Sequence, residues 1–268
     1  MDIDQIKNEF RTPAAKDYPE LQDYSRSAIY EGKMGPGGLY LAAQMARRMH
    51  LTEGQRVLDL GCGGGATSVF LAKQYGVSVI AVELYLSATD KYRRFRQHGV
   101  DNLVMPLNLD ITGDLPFAHG YFDAIFCMDA VHYFGGELAF WSHLLPHLKH
   151  GGELCIGSPC FNTEFSPQAL QDLPTVYDDG TDLWPSEFSK YHSPSWWADL
   201  LLQTGVLEVK ESRELEDGIK YWEDDVLHNL EIGRSVEGEL EDAAQVRFRR
   251  EGFPYLTHFI LYAQKKSD

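Results

Sequence analysis

The sequence predicts an α/β fold built on a doubly wound, mostly parallel sheet of seven strands. Between residues 55 and 158, short apolar runs alternate with helix-like segments, which is the pattern of consecutive βαβ units. A turn with four glycines in five positions, GCGGG at residues 61–65, follows the first apolar run. With 268 residues, of which 44% are hydrophobic, the chain can bury the core that such a sheet needs.

The strands are predicted from short apolar runs bounded by turn residues. Five lie in the alternating region, at residues 56–60, 77–82, 103–107, 122–128 and 153–156. Two further runs, at residues 206–209 and 255–263, predict a closing pair of strands after a long intervening segment.

The helices are predicted from apolar residues at turn spacing. Three connect the strands of the alternating region, at residues 66–75, 87–98 and 137–147, and Ser87 is the predicted N-cap of the second. Residues 38–49 predict an amphipathic helix before the sheet. Residues 193–205 predict a helix after it that begins with Ser-Pro. Residues 219–251 have the pattern of one or two charged helices inserted before the last strand.

Composition limits the possible partners. A formal charge of −16 disfavours binding to nucleic acid or to anionic membranes, and favours a neutral or cationic small molecule. No stretch of 18 apolar residues predicts a membrane span, and the acidic N-terminus lacks a secretory h-region. The four cysteines lack zinc-like spacing, so we expect buried reduced thiols, no metal site and a cytoplasmic location. A homodimer is a separate expectation.

The glycine turn fits two classes of cofactor. Gly61, Gly63 and Ala66 match a dinucleotide fingerprint, and Glu83 stands about 20 residues beyond it, as ribose binding requires. However, Asp59 lies two residues before the turn and no Lys or Arg follows until Lys73. This arrangement disfavours a pyrophosphate and favours a cationic ligand that lacks phosphate, such as S-adenosylmethionine (SAM). An NAD-linked oxidoreductase stays open as the alternative.

A set of motifs extends this interpretation over residues 55–158. In order, the motifs are VLDLGCGGG, AVEL, LNLDI, FDAIFCMDAVHYFG and LKHGGELCIGSP. Together they resemble the class I SAM-dependent methyltransferases, in particular the small-molecule members of the cyclopropane-synthase-like group. The resemblance implies a Rossmann-like fold, SAM as the cofactor, and methyl transfer to a small soluble metabolite on N, O or C. A SAM-binding module without turnover is a further alternative.

The resemblance also implies site residues. Glu83 is expected at the ribose hydroxyls, Asp110 at the adenine amino group, and Asp129 near the methionine portion and sulfonium. Each of these acids ends a predicted strand, although each is also a residue type that caps helices. The full set of implied cofactor contacts is Asp59, Gly61, Cys62, Gly63, Glu83, Leu84, Asp110, Ile111, Asp129 and Ala130.

The acceptor side is predicted from residues beyond the fourth strand. His132 and Tyr133 are the candidate catalytic residues, with His132 as a base for an amine or hydroxyl acceptor. The cyclopropane synthases carry a glutamate at the position of Val131, so acyl-chain cyclopropanation is disfavoured. The predicted substrate contacts are Tyr30, Trp184, Tyr191 and Trp222.

We therefore expect a single methyltransferase domain over residues 1–268. Residues 1–50 form a helical lead-in, in which residues 30–38 act as a lid, and residues 51–158 form the SAM-binding core. Residues 159–268 supply substrate-side insertions and the closing strands. Its long loop at residues 159–192, rich in Pro, Asp, Ser and aromatics, is typical of a functional segment.

Overall fold

A computed structural model of the chain describes residues 2–32, 34–166, 168–169, 190–216, 218–233, 246 and 255–267. Its seven-stranded sheet has the order β3-β2-β1-β4-β5-β7-β6. The strands are β1 (Arg56–Leu60), β2 (Ser78–Glu83), β3 (Val104–Asn108), β4 (Phe122–Met128), β5 (Leu148–Phe161), β6 (Leu207–Glu214) and β7 (Leu256–Lys265). Strands β1 to β5 are parallel, whereas β7 runs antiparallel between β5 and β6, so the predicted α/β fold is confirmed.

Helices cover both faces of this sheet. They are α1 (Ile3–Glu9), α2 (Arg26–Tyr30), α3 (Gly38–Ala46), α4 (Ala66–Tyr75), α5 (Ala88–Gln97), α6 (Val131–Phe134), α7 (Leu138–Leu144), α8 (Pro194–Leu202) and α9 (Gly218–Glu231). Side chains of α3, α4 and α5 form one apolar core with the sheet, and those of α7 and α8 form another. This two-sided burial explains why the central strands are nearly continuous apolar runs.

Several element bounds differ from the sequence prediction. Strand β5 has 14 residues where four were predicted, because β4 pairs with its start and β7 pairs with its end up to Phe161. The predicted helix at residues 137–147 ends at Leu144 and continues as a 3₁₀ turn that contains Pro146. Ser87 and Ser193 do cap α5 and α8, each accepting a hydrogen bond from a backbone N–H.

The outer segments are described in part. Helix α9 confirms a helix in the predicted insertion at residues 219–251, while most of the remainder lies outside the described residues. Most of the predicted loop at residues 159–192 also lies outside them. No helix among the described residues is both long and apolar enough to cross a membrane. All four cysteines are buried and free.

Candidate ligand site at the carboxyl edge of the sheet

A cavity of about 440 Å³ lies where β1, β2, β3 and β4 end. Parallel strands place their carboxyl ends at one edge of a sheet, which is the usual ligand position in open α/β folds. Its described lining is Met34, Gly61, Gly63, Val82, Glu83, Leu84, Tyr85, Leu109, Asp110, Ile111, Thr112, Asp129, Ala130, Tyr133 and Phe134. Of the ten predicted cofactor contacts, only Asp59 and Cys62 are missing from this lining.

The glycine turn forms one wall of the cavity. Gly61 and Gly63 have φ angles of 66° and 54°, in the left-handed region that glycine adopts without strain. A Cβ on Gly61 would lie 2.5 Å from the Cβ of Ala130, which is too close for two carbon atoms. The residue after β1 can therefore contact the start of α6 only because it is a glycine.

Asp59 lies behind this turn rather than in the cavity. It is 1% exposed, and its Oδ2 accepts a 2.6 Å hydrogen bond from Ser68 Oγ in α4. Burial raises the pKa of this carboxyl to about 7, although the bond from Ser68 opposes the rise. Asp59 therefore connects the end of β1 to the first turn of α4 through its hydrogen bond with Ser68, without lining the cavity.

Glu83 joins the glycine turn to the end of β2. Its Oε2 accepts a hydrogen bond from the Gly63 N–H at 3.1 Å, and its Oε1 accepts one from the Tyr85 N–H at 2.9 Å. A carboxylate has about four acceptor positions. Each oxygen of Glu83 therefore keeps capacity for one donor from a ligand in the cavity.

Asp110 follows β3 at the exposed end of the cavity. Its Oδ1 accepts bonds from the Thr112 hydroxyl at 2.7 Å and from the Thr112 N–H at 2.9 Å. These two hydrogen bonds hold the pKa of Asp110 below its ordinary value. The carboxylate is thus charged at neutral pH and fixed by a local turn.

Asp129, immediately after β4, has the most constrained position of the three acids. It has a φ angle of 52°, and it is the only described residue other than glycine with a positive φ. Its Oδ2 accepts a 3.0 Å bond from the Gly37 N–H. Its Oδ1 is buried without a hydrogen-bond partner among the described residues, and His258 Nε2 lies 3.6 Å from it.

The described residues of the lead-in turn, 30–32 and 34–38, lie across the glycine turn and Asp129. A Cβ on Gly64 would lie 2.6 Å from the carbonyl oxygen of Gly32, and a Cβ on Gly35 would lie 2.3 Å from Asp129 Oδ2. Glu31 pairs with Arg94 of α5 at 2.9 Å. Two sets of glycines thus allow the lead-in turn to pack directly on the site.

The charge of the lining is one-sided. Its described titratable side chains, apart from Tyr85 and Tyr133, are three carboxylates, and none of its described residues is Lys, Arg or His. Such a lining attracts cations and repels phosphates. A second cleft, of about 490 Å³, lies among α2, α4 and α5, and its Glu31 and Arg94 already pair with each other.

The two candidate catalytic residues are separated by the structure. Tyr133 is 55% exposed and lines the cavity, whereas His132 is 5% exposed and lies behind it. His132 Nδ1 is 3.0 Å from Ser158 Oγ, and its Nε2 is buried without a hydrogen-bond partner among the described residues. Burial lowers the pKa of His132 to about 4, although Asp129 opposes this shift. His132 is therefore neutral at pH 7.

None of the three described substrate contacts that the sequence predicts, Tyr30, Tyr191 and Trp222, is on the described cavity lining. Tyr191 packs edge-on against His132, with ring centroids 4.9 Å apart. Tyr30 is buried in the lead-in turn, where its hydroxyl donates to Asp224 of α9. Trp222 of α9 lies beside His258 of β7. Trp184 lies outside the described residues.

His258 is the residue that the sequence analysis missed. It is fully buried, and it stands in β7 in register with Pro159, at the same edge of the sheet as Asp129. The available signal was a histidine in the otherwise apolar run LTHFILYA of residues 256–263. Met34, Tyr85 and Phe134 also line the cavity without having been predicted.

Comparison with known proteins agrees with this location. Residues 57–152 match a protein-family model described as a methyltransferase domain. Phosphoethanolamine N-methyltransferase 1 of Zea mays is 27% identical over 130 residues, which are 48% of this chain and 26% of that enzyme. The match thus spans about a quarter of the length of this curated relative.

Solved structures of similar fold cover nearly the whole chain. Geranyl diphosphate C-methyltransferase of Streptomyces coelicolor, in complex with Mg²⁺, geranyl diphosphate and S-adenosyl-L-homocysteine, has a TM-score of 0.66 at 19% identity. It covers 95% of this chain and 87% of its own. The cyclase SpnF has a TM-score of 0.63 at 17% identity, covering 94% of this chain and 95% of its own. These likenesses establish the fold, and they include proteins named for different reactions.

Proposed function

Because the chain carries a methyltransferase domain of the class I SAM-dependent kind, we propose that it transfers a methyl group from SAM to a small molecule and releases S-adenosylhomocysteine. The observation that carries this proposal is the cavity lining, in which three strand-end acids and a glycine turn occur without any described Lys or Arg. SAM bears a sulfonium, an ammonium and an adenosine, and it lacks phosphate, so it matches this lining.

In this proposal the three acids bind successive parts of the cofactor. Glu83 accepts from the ribose hydroxyls, using the capacity left beside its bonds to Gly63 and Tyr85. Asp110 accepts from the adenine amino group at the exposed end. Asp129 accepts from the methionine ammonium with Oδ1, which has no hydrogen bond from a described residue. Asp59 and Cys62 support the glycine turn from behind.

When bound, SAM supplies a methyl group already activated by the sulfonium, so the protein's task is to orient the acceptor and to exclude water. The lead-in turn supports this role because it covers both the glycine turn and Asp129. His132, neutral at pH 7, is the proposed base for an acceptor with a dissociable proton, and its neighbour Tyr133 lines the cavity. Tyr30, Tyr191, Trp222 and Trp184 stay predictions as acceptor contacts.

The proposed acceptor is a small metabolite rather than a nucleic acid or a lipid surface. A formal charge of −16 supports this choice, since phosphate backbones and anionic headgroups require a basic surface. The four buried free thiols support a cytoplasmic location. A single domain over residues 1–268 and a homodimer stay predictions, which limited proteolysis and light scattering test.

Calorimetric titration of the purified protein with S-adenosylhomocysteine, and in parallel with NAD⁺, tests the cofactor. We expect micromolar binding of the first and none of the second; the reverse would replace the methyltransferase with the oxidoreductase alternative. Transfer of labelled methyl from SAM to a panel of amines, phenols, carboxylates and thiols then tests turnover. A protein that binds the cofactor and methylates no member of a broad panel would favour the SAM-binding module.

A further inference from the structure

The mouth of the candidate cavity carries exposed apolar side chains. Met34, Leu84, Tyr85 and Tyr133 line the cavity, and each is at least 46% exposed. Exposed apolar surface grouped in this way marks a place that a ligand or a partner covers. Met34 is the member of the group that comes from the lead-in turn and carries a thioether.

The Met34 side chain lies directly on the glycine turn. A Cβ on Gly63 would be 2.9 Å from Met34 Cγ and 3.2 Å from Met34 Sδ. The thioether therefore occupies the face of Gly63 at which any other residue would carry its side chain. The N–H of the same glycine donates to Glu83, which is the ribose contact in the proposed function. A change at the Met34 sulfur thus acts next to the proposed position of the cofactor.

Exposure distinguishes Met34 from the other described methionines. Met34 is 63% exposed, whereas Met45, Met49 and Met128 are at most 8% exposed. Met105 in β3 is 57% exposed, but it does not belong to the described cavity lining. Oxidation of a methionine requires access to its sulfur. Among the described methionines, Met34 alone combines this access with a place on the cavity.

We propose that Met34 is a modification site, at which a hydroperoxide oxidises the thioether to the sulfoxide and so weakens cofactor binding. A lone pair of the sulfur attacks one peroxide oxygen, so that an S–O bond forms while the O–O bond breaks. The departing oxygen takes the proton of the transferred oxygen and leaves as water or as an alcohol. The sulfur loses two electrons and the peroxide gains them. The proposal rests on the proposed function, since it takes SAM as the ligand.

The weakening follows from the polarity of the sulfoxide. Oxidation converts a flexible apolar side chain into a polar one. The new oxygen is hydrated while Met34 is exposed, but a bound ligand would cover it against Gly63, where burial of an unpaired polar group is costly. The effect therefore falls on binding rather than on folding. Through the same contact, a bound ligand shields the thioether from the peroxide.

Shielding is tested on the full chain by treatment with hydrogen peroxide in the presence and absence of saturating S-adenosylhomocysteine. Peptide mass spectrometry measures how fast the sulfoxide forms at Met34 and at Met105. The ligand should slow oxidation of Met34 at least about fivefold and leave that of Met105 unchanged. Equal rates at Met34 with and without the ligand would overturn the proposal.

The effect on binding is tested by calorimetry with two probes, S-adenosylhomocysteine and 5′-methylthioadenosine, after the Met34 peptide is fully converted. The second probe keeps the adenosine but lacks the amino-acid portion. Oxidised wild type should bind both probes about five- to tenfold more weakly. Methionine sulfoxide reductases should restore both affinities. Met34→Leu, which keeps the size and apolar character, should bind both within about twofold of untreated wild type and keep these affinities after peroxide treatment.

Met105→Leu is the matched control, because it removes the other exposed methionine among the described residues. It should lose affinity on oxidation as wild type does. An equal loss in Met34→Leu, or no loss in wild type, would overturn the modification site. An untreated wild type that binds neither probe would instead overturn the proposed function, so the two failures are distinguishable.

Discussion

The two halves of the candidate site are assembled in different ways. In the half formed by β1, β2 and β3, each acid is held by residues close to it in sequence or one βαβ unit away: Glu83 binds the N–H groups of Tyr85 and Gly63. In the half around β4, Asp129 is held by Gly37 and faces His258, which come from opposite ends of the described chain. The first half is therefore assembled from local contacts, and the second from contacts between segments far apart in the sequence.

This difference has a functional meaning. In the proposed function, the local half binds the adenosine portion, which SAM and S-adenosylhomocysteine share. The long-range half surrounds the end of the cavity at which methyl transfer is proposed, and its contacts come from the lead-in turn, α9 and β7. Substitutions in the first half should affect all adenosine ligands equally, whereas those in the second should discriminate between ligands.

The largest effect is expected from Gly61→Val. The branched side chain would occupy the 2.5 Å approach to Ala130 and force a φ of 66° on a β-branched residue, so binding of S-adenosylhomocysteine and 5′-methylthioadenosine should fall below detection in calorimetry. Gly120→Val is the control, because its φ of 60° imposes similar strain and its Cβ meets no atom within 4 Å. It should lose stability but keep both affinities; loss of binding in both variants would attribute the effect to strain alone.

The next effect concerns Asp59 and appears as a dependence of stability on pH. Burial raises its pKa from the ordinary 3.8 to about 7, so the folded protein binds this proton more tightly than the unfolded chain does. The stability that this proton contributes is present at low pH and is lost as pH rises toward 7. Relative to wild type, Asp59→Asn should gain roughly 3–4 kcal/mol in free energy of unfolding between pH 4 and pH 8.

Urea unfolding at several pH values measures this difference, and Asp123→Asn provides a control of opposite sign. Burial alone would raise the pKa of Asp123, but hydrogen bonds from the Arg56 N–H and Lys149 outweigh it and lower the pKa below its ordinary value. Wild type should therefore lose its advantage over Asp123→Asn as pH falls. A pH-independent difference for Asp59→Asn would mean that its carboxyl is not buried as described.

Glu83→Gln sharpens the comparison between the halves directly. The substitution replaces one carboxylate oxygen with an NH₂ group, so one of the two backbone N–H groups that now donate to Glu83 would face another donor. It also removes the negative charge that faces the ribose in the proposed function. Both probes contain the ribose, so both should bind about 2 kcal/mol more weakly. Asp129→Asn should weaken S-adenosylhomocysteine alone; if the two variants gave the same ligand profile, the division of the site would be wrong.

Tyr30→Phe tests the long-range half for stability. The Tyr30 hydroxyl donates to the buried Asp224, which also pairs with Arg26 at 2.6 Å, so the substitution removes one partner of a buried carboxylate. A loss of about 1–2 kcal/mol in free energy of unfolding is expected from chemical denaturation. Tyr40→Phe, at a neighbouring ring whose centroid is 6.3 Å away, should cost less, and an equal cost would show that the bond to Asp224 is not the cause.

The smallest effect is expected where the lead-in turn meets α5. Glu31→Gln removes the partly exposed ion pair with Arg94, so S-adenosylhomocysteine should dissociate about two to three times faster in stopped-flow measurements, with little change in stability. Asp90→Asn removes an exposed pair with Arg93 on the same helix and should leave the rate unchanged. Equal rates in the three proteins would show that this pair does not hold the lead-in turn closed.

The sequence predicted the fold and the local half of the site for physical reasons. Strands buried on both faces are continuous apolar runs, and the acids that follow them mark strand ends directly in the sequence. Glu83 and Asp110 could be located at the cavity from the sequence because each directly follows a predicted strand. Tyr85, two residues beyond Glu83, was missed because an exposed aromatic after a strand carries no distinct pattern.

The long-range half could not be predicted in the same way. Which of several distant segments packs on Asp129 depends on the tertiary arrangement of the lead-in turn, α9 and β7, and a histidine in a strand does not indicate its neighbour across the sheet. The length of β5 was underestimated because its extension past Ile156 is stabilised by pairing with β7 rather than by its own composition. Asp59 was placed in contact with the ligand because its burial behind the turn has no signature in sequence.

The position of β7 between β5 and β6 has a consequence for how the protein is made. During synthesis the ribosome releases β5 and β6 first, so each has an unpaired edge where β7 will later insert. Pairings between strands so far apart in the chain form slowly, and open strand edges are the surfaces at which nascent chains aggregate. The protein should therefore depend on chaperones during this interval, and its yield in a cell-free system should rise when a holdase is added.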